Sequence, residues 1–430
     1  MEQEELKRKL MGLWEKTTHN SKELIATLFD YYFDINLIEY KEIEGKIVSA
    51  LFGIPYDFGF GRKKLKALYI ISLSSEEGYK KKGILAELLY NFNERLENEF
   101  DFSFLVPHTE LLEDYFGSQG YFSSFYILEE RYTSLHDFRN DFQLSLTDSD
   151  DHIRELKKNL LDEIKVIENN CNSIFTIEKV IEFIEDIEKK GSSASINLYH
   201  SFKDLEYIIQ DQNLRNLSSF IAFDADKRIS GVAFTQKEDL KRLKIVAIYV
   251  SDTSSYYALL DYIKSQYPDY SLSVITSDSK NHVQSIVQQT YASANPAGGD
   301  LDNTFGTIEI PFNINKLLQP VGMVRLLRFD NIMNFIAETR SDVDFKLHIR
   351  DYDFNEAKDS SDGDGNIIFV VKNGKCKIER KNNIINDHSI LNLSIKEISE
   401  LLLRKNDSSN LIMEAFGIPR LNLHMRLLPF

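Results

Sequence analysis

Residues Leu68 to Leu89 read LYIISLSSEEGYKKKGILAELL, and their pattern changes character twice. The run from Leu65 to Ser72 is almost continuously apolar, as expected of a central strand covered on both faces. From Ile84 onward, Leu85, Leu88, Leu89, Phe92 and Leu96 keep one apolar face at helical spacing. Between strand and helix lies a short loop ending in Lys80, Lys81, Lys82 and Gly83. A glycine at a helix start lets backbone N–H groups approach an anion. The helix macrodipole and the three lysines add positive potential. In physical terms this is a pyrophosphate site; the competing reading is a solvated basic turn after a strand.

Working outward, Ser21 to Phe33 predicts a helix. NLIEYKEI and KIVSALFGIPYDF predict a hairpin turning at Glu44-Gly45. After the central helix come a buried strand FSFLV ended by Pro107, a short helix from Glu110 to Phe116, and a strand YFSSFYILEERY opened by Gly120-Tyr121. Helices and strands alternate, so the fold class is α/β (α+β) with mixed sheets. A charged, mostly helical stretch from Leu160 to Lys190 is the pattern of a connector. From about Ser192 to Phe312 the same order returns: a strand pair turning at Lys227-Arg228, the strand KIVAIYVS, a helix from Ser254 to Tyr267, SLSVITS, a helix from Lys280 to Tyr291, and TFGTIEIPF. This predicts a structural duplication. A third segment opens with MVRLLRFDNIMNFIAE, a strand into a helix. It continues through the strands FKLHIRDYD and NIIFVVKNGKCKIER to the helix SIKEISELLLRK.

The bulk numbers set limits. A chain of 430 residues is enough for about three domains, and 43% hydrophobic content with 12% aromatics excludes a disordered or fibrous chain. The net charge of −16, from 51 basic against 67 acidic residues, argues against a nucleic-acid or anionic-membrane partner and favours a cationic ligand. Two cysteines, Cys171 and Cys376, supply neither a disulfide scaffold nor a zinc cage. MEQEELKRKL is not a secretory signal, and no apolar run is long enough for a membrane span. The expectation is a cytoplasmic protein without a metal.

The stretch from Leu68 to Leu89, followed by FSFLV and DYFGSQGY, resembles the GNAT acetyltransferase superfamily. Its pyrophosphate loop, Arg/Gln-x-x-Gly-x-Gly/Ala, is matched at Lys80 and Gly83. Leu85 departs from the general motif and is similar to the Arg-Arg-Arg-Gly-Leu-Leu form of Eis-type (enhanced intracellular survival) acetyltransferases. The resemblance implies three domains: a catalytic GNAT domain at 1–146, a degenerate GNAT-like copy with its connector at 147–318, and a sterol-carrier-protein-like domain at 319–430. It implies acetyl-CoA as co-substrate, held along Leu73, Ser74 and Ser75 and by Lys80, Lys81, Lys82, Gly83, Ile84 and Leu85. The strand-end N–H groups would polarise the thioester carbonyl. The second copy reads YVSDTSSYYALL after its central strand, with no such loop, and is expected to bind no CoA.

The general acid of the family is a tyrosine in the pattern Tyr-Gly-Arg-Phe-Gly-Tyr. Alignment on Gly120-Tyr121 puts Phe116 there, leaving Tyr115, about 100° round the helix, Tyr121, or no acid at all. The resemblance offers the carboxylate of Phe430 as general base. The implied activity is transfer of an acetyl group to the primary amine of a cationic acceptor, such as an aminoglycoside, a polyamine or a lysine side chain, by a homo-oligomer (a hexamer by resemblance). The alternatives are a catalytically inactive small-molecule-binding protein and, third, a tandem-GNAT aminoacyltransferase, against which the net charge argues. SSDGDGN, at Ser360 to Asn366, has the wrong acidic spacing for a calcium loop. His108 reads as a loop histidine.

Overall fold

The computed structural model describes residues 3–18, 20–60, 62–145, 160–169, 174–189, 196–215, 217–238, 241–277, 314–340, 342–349, 366–381, 389–403, 421 and 423–424. They fall into two compact units. The first lies within Met1–Phe125, Ser193–Leu198 and Pro320–Leu423. The second lies within Tyr126–Ser192, Tyr199–Gln319 and His424–Phe430. Both are mixed α/β, as the alternation of elements predicts.

The first unit opens with α1 (Gln3–Thr17) and α2 (Lys22–Tyr32). Sequence periodicity predicts only α2, whose Ser21 caps it by accepting from the Leu24 N–H. In α1, Leu6, Leu10, Leu13 and Trp14 are buried along one helical stripe among charged residues. The hairpin follows: β1 (Ile38–Ile43) and β2 (Lys46–Phe60), with Glu44 and Gly45 at φ of 51° and 77° as a type I′ turn requires. Then come β3 (Lys63–Ser75), α3 (Ile84–Leu96), β4 (Phe102–Leu105) and α4 (Glu110–Ser118). β3 is antiparallel to β2 and parallel to β4.

Strand alternation sorts the side chains between two faces. Leu51, Leu68, Ile70 and Leu105 form one cluster with Leu88, Leu89 and Phe92 of α3. Phe52, Phe58, Phe102 and Phe104 take the other face. There Trp14 meets Phe29 at 4.7 Å and Phe58 meets Phe102 at 5.1 Å between ring centroids. Gly53 of β2 lies under α3. A Cβ there would stand 2.7 Å from Leu68 Cδ1 and 2.9 Å from Phe92 Cζ. Gly53→Ala therefore overpacks the helix–sheet contact and should destabilise by about 1–3 kcal/mol, read as a lower denaturation midpoint at unchanged m-value.

β5 (Phe122–Tyr132) passes from the first unit to the second, where its Ile127–Tyr132 half pairs antiparallel with a strand of that unit. Next are α5 (Phe138–Ser145), α6 (Leu160–Glu163), β6 (Lys165–Asn169) and α7 (Ile174–Lys189). The described part of Leu160 to Lys190 is mostly helical, and β6 is an addition that the sequence reading did not contain: Lys165–Asn169 runs antiparallel to β8 (Ser219–Phe223). β7 (Ile196–Tyr199) neighbours β2, and α8 (Phe202–Leu214) precedes β8. The unit continues with β9 (Ile229–Glu238), β10 (Arg242–Val250), α9 (Thr253–Gln266) and β11 (Ser271–Ser277).

Apart from β7, which lies between α7 and α8, the order α7, α8, β8, β9, β10, α9, β11 repeats α1, α2, β1, β2, β3, α3, β4. Pairing sense repeats too: β10 is antiparallel to β9 and parallel to β11. Even the close approach recurs, since a Cβ on Gly231 of β9 would stand 2.8 Å from Leu259 of α9. The duplicated order read from the sequence is present in the described residues. The predicted helix at Lys280 to Tyr291 and the strand TFGTIEIPF lie outside the described residues.

β12 (Ile314–Leu326) ends antiparallel to β4, with Met323 opposite Leu105. The first unit thus takes a sheet strand from beyond the second copy, while the second takes half of β5. Next, α10 (Phe329–Thr339) lies against β14 (Asn366–Lys372) and β15 (Lys375–Lys381). With β13 (Phe345–Ile349) and β16 (Leu391–Leu393) these form a four-stranded sheet in the order β15-β14-β13-β16. α11 (Ile395–Leu403) and β17 (Leu423–His424) complete the described chain. Asp101, buried just before β4, binds this region to the first unit's sheet. It accepts from Lys66 N–H at 2.7 Å and from Asn331 Nδ2 at 2.5 Å.

Candidate active site

β3 and β4 pair in parallel only from Ala67 opposite Phe102 to Tyr69 opposite Phe104. β3 then runs on through Ile70 to Ser75. Its only sheet neighbours among the described residues are β2 and β4. Backbone groups of Ile70 to Ser75 that turn toward β4 therefore meet no strand and open on a gap.

On its other edge β3 is bulged. Phe52 opposes Ile71 and Ala50 opposes Ser74, so Leu51 alone faces both Ser72 and Leu73. Ser72 sits at φ 51°, a region a non-glycine residue seldom takes. Its carbonyl accepts a 2.8 Å hydrogen bond from Nε1 of buried Trp14. Ser49, fully buried, donates to the Ser74 carbonyl at 3.0 Å, and its Oγ lies 2.8 Å from Ser75 Oγ. Glu76 then anchors the strand end: its N–H donates to Val48 O, and its carboxylate takes Lys46 at 2.5 Å and Lys16 at 3.7 Å.

Beyond a 3-10 turn at Glu77–Tyr79, Lys81 and Gly83 adopt φ of 60° and 78°. Gly83 heads α3 without any side-chain cap, and the helix's first internal bond runs from Glu87 N–H to Gly83 O. The N–H groups of Ile84, Leu85 and Ala86 thus have no partner within the helix. Lys80, Lys81, Lys82 and Gly83 are exposed. Lys80 pairs with Glu77 at 2.5 Å, and this bond holds the Glu77 carboxyl below its ordinary range. Lys82 stacks over the Tyr79 ring at 4.8 Å. Leu73 and Ile84 pack half-buried against the α3 cluster, and Leu85 is also half-buried. Free amides, three ammonium groups and the positive end of a helix are the donor set of a polyanion site.

α9 starts differently. Its N-cap is Asp252, whose carboxylate accepts from Ser255 N–H at 2.7 Å. The negative charge already occupies the position that Gly83 leaves open on α3.

The three aromatic candidates separate by burial. Phe116 is in the core, 4% exposed, with its ring 6.2 Å from Tyr121. Tyr121 is buried too, and its hydroxyl is engaged by Asn93 Nδ2 at 3.0 Å and Ser103 Oγ at 2.8 Å. Tyr115 is half-buried at the edge of the same cluster, its ring 5.2 Å from Phe116, and burial raises its phenol above the ordinary value. His108 lies exposed before α4. Phe430 lies outside the described residues, as do Cys171 and most of the SSDGDGN stretch. No group of three or more His, Cys, Asp or Glu that could hold a metal occurs among the described residues. None of their helices is long and apolar enough to cross a membrane.

Trp14, Ser49 and Ser72 are site-forming residues that sequence inspection passes over. The available signal was that Trp14 is the chain's single tryptophan, on an amphipathic helix.

No protein-family model and no curated protein matches the chain. Solved structures do. A conserved Enterococcus faecalis protein of unknown function, a probable N-acyltransferase, superposes with a TM-score of 0.63 at 14% identity, over 96% of this chain and 91% of that one. A GCN5-related N-acetyltransferase from Anabaena variabilis gives 0.60 at 12%, over 98% and 97%. Eis1 from Mycobacterium abscessus gives 0.59 at 9%, over 97% and 91%. At such identities the likeness concerns architecture: over nearly its whole length, this chain has the fold of GCN5-related N-acetyltransferases.

Proposed function

We propose that the protein is an acetyl-CoA-dependent N-acetyltransferase acting on the primary amine of a cationic acceptor. The observation that carries this is the pairing of a parted strand pair, β3 and β4, with an uncapped, lysine-flanked helix N-terminus directly after β3. The donor set fits the cofactor: free amides at Ile84 to Ala86 and the cluster Lys80, Lys81 and Lys82 suit a diphosphate. Bound there, acetyl-CoA supplies an activated acetyl thioester.

The chain's own groups then have distinct tasks. Leu73, Ser74 and Ser75 line the strand end, where backbone N–H groups facing the gap stabilise negative charge developing on an acyl oxygen. Tyr115 is the phenol assigned to protonate a departing thiolate. A phenol whose pKa is raised stays protonated at neutral pH, the state an acid needs. The second unit, whose equivalent helix is closed by Asp252, binds no CoA on this reading. The chain divides functionally into a catalytic segment at 1–146, a degenerate copy at 147–318 and a sterol-carrier-like segment at 319–430. The excess of 67 acidic over 51 basic residues supports a cationic acceptor.

Calorimetric titration with acetyl-CoA, followed by turnover across aminoglycosides, polyamines and lysine peptides, tests the reading. Binding with transfer to at least one amine class is expected. Absence of acetyl-CoA binding would sink it, and binding without turnover on any amine would leave a binding protein instead.

A further inference from the structure

We propose that Trp14 is a positioning residue for acyl transfer: its indole N–H holds the Ser72 carbonyl and so keeps the β3 bulge in the conformation that presents backbone amides to the acyl group. This rests on the acyltransferase reading above. Ser72 and Leu73 form the bulge, and beyond Tyr69 the β4 side of β3 is open. Whatever fixes the bulge therefore fixes the direction of the amides at the parting point.

Serine has no intrinsic preference for φ 51°, so something outside the strand has to hold it there. In this chain that partner is α1. Trp14 is 1% exposed, wedged between Phe29 at 4.7 Å and Phe52 at 5.9 Å, and its Nε1 reaches Ser72 O at 2.8 Å. The same helix reaches the strand end a second time, where Lys16 pairs with Glu76. A buried tryptophan N–H needs an acceptor, and here it takes the carbonyl of the bulged, positive-φ residue, so the two are held together.

The test compares affinities for acetyl-CoA and free CoA, alongside kcat and KM. Trp14 makes its hydrogen bond to Ser72 and none to Lys80, Lys81, Lys82 or Gly83, so CoA binding is a control for both folding and the diphosphate site. Trp14→Phe keeps the aromatic packing and removes the donor. It should bind CoA like wild type and lose any preference for acetyl-CoA over CoA. It should also lower kcat about tenfold or more with little change in amine KM, since a loosened oxyanion donor acts on the transition state. Adding Ser72→Gly should return much of the lost kcat, because glycine takes a positive φ unaided. A structural role alone would lower the melting temperature without this split or this rescue. An unchanged kcat and acetyl-CoA/CoA ratio in Trp14→Phe overturns the inference and leaves the acyltransferase reading standing. If Trp14→Phe binds no CoA, Trp14→His, which keeps a ring donor, decides: recovery of kcat supports the inference and its absence overturns it. Wild-type protein that binds neither CoA nor acetyl-CoA overturns the acyltransferase reading itself, and this inference with it.

Discussion

Gly83→Asp should weaken acetyl-CoA binding by about two orders of magnitude while the protein stays folded. The backbone at Gly83 has φ 78°, and a Cβ there would meet nothing within 4 Å. Space is therefore no obstacle; the folding penalty is confined to the left-handed conformation, about 1–2 kcal/mol for an ordinary residue and less for aspartate. The binding penalty is larger. A carboxylate at the mouth of α3 stands beside the free amides that a diphosphate would take, and two charges about 4–5 Å apart set the scale. At an effective dielectric of about 20 the repulsion is roughly 3–4 kcal/mol, or some two to three decades in Kd. Asp252 at the head of α9 shows the protein's own use of a carboxylate at such a position. Gly83→Ala separates the two effects: it shares the backbone strain without the charge and should lose about tenfold or less. Calorimetry with a thermal melt on each variant reads both numbers. Equal losses in the two variants would assign the effect to strain alone.

What could be read in the sequence was local. Glu44-Gly45 between two apolar runs predicts its hairpin because the turn chemistry and the strands are adjacent. The strand, lysine loop and helix around Gly83 are equally local, and each sits where its pattern predicts. The Ser72 bulge was not readable: serine carries no left-handed signal, and the group that holds it, Trp14, is 58 residues away. The pairing of Met323 with Leu105 is similarly remote, and nothing in the stretch GMVRLLRF says which strand it joins. The loop singled out by the resemblance is a local pattern, whereas which side chains of α4 are buried needed the helix in place.

Tyr115, half-buried against the α3 cluster as are Leu73 and Ile84, makes the strongest test of the chemistry. Tyr115→Phe should lower kcat about a hundredfold with acetyl-CoA and amine KM nearly unchanged. General acids contribute about 10²–10⁴-fold, and a thiolate with a pKa near 8.5 leaves readily enough to place this one at the low end. The pH profile carries the sign. Burial raises the Tyr115 phenol, so the protonated form persists through neutral pH and is lost only above the usual phenol range. Wild type should therefore keep its rate through neutral pH and lose it on an alkaline limb, which Tyr115→Phe removes. Tyr121→Phe is the contrast. Its hydroxyl joins Asn93 and Ser103 in the core, and deleting it leaves those two still bonded to each other, with Asn93 Nδ2 also on Leu89 O. Stability should fall by about 0.5–1.5 kcal/mol while kcat stays within about threefold. The reverse outcome, a large kcat loss in Tyr121→Phe and none in Tyr115→Phe, would move the acid to the buried phenol. That phenol would then need an opening in the core to reach a thiolate, and Phe116, packed against it at 6.2 Å, would be the side chain in the way.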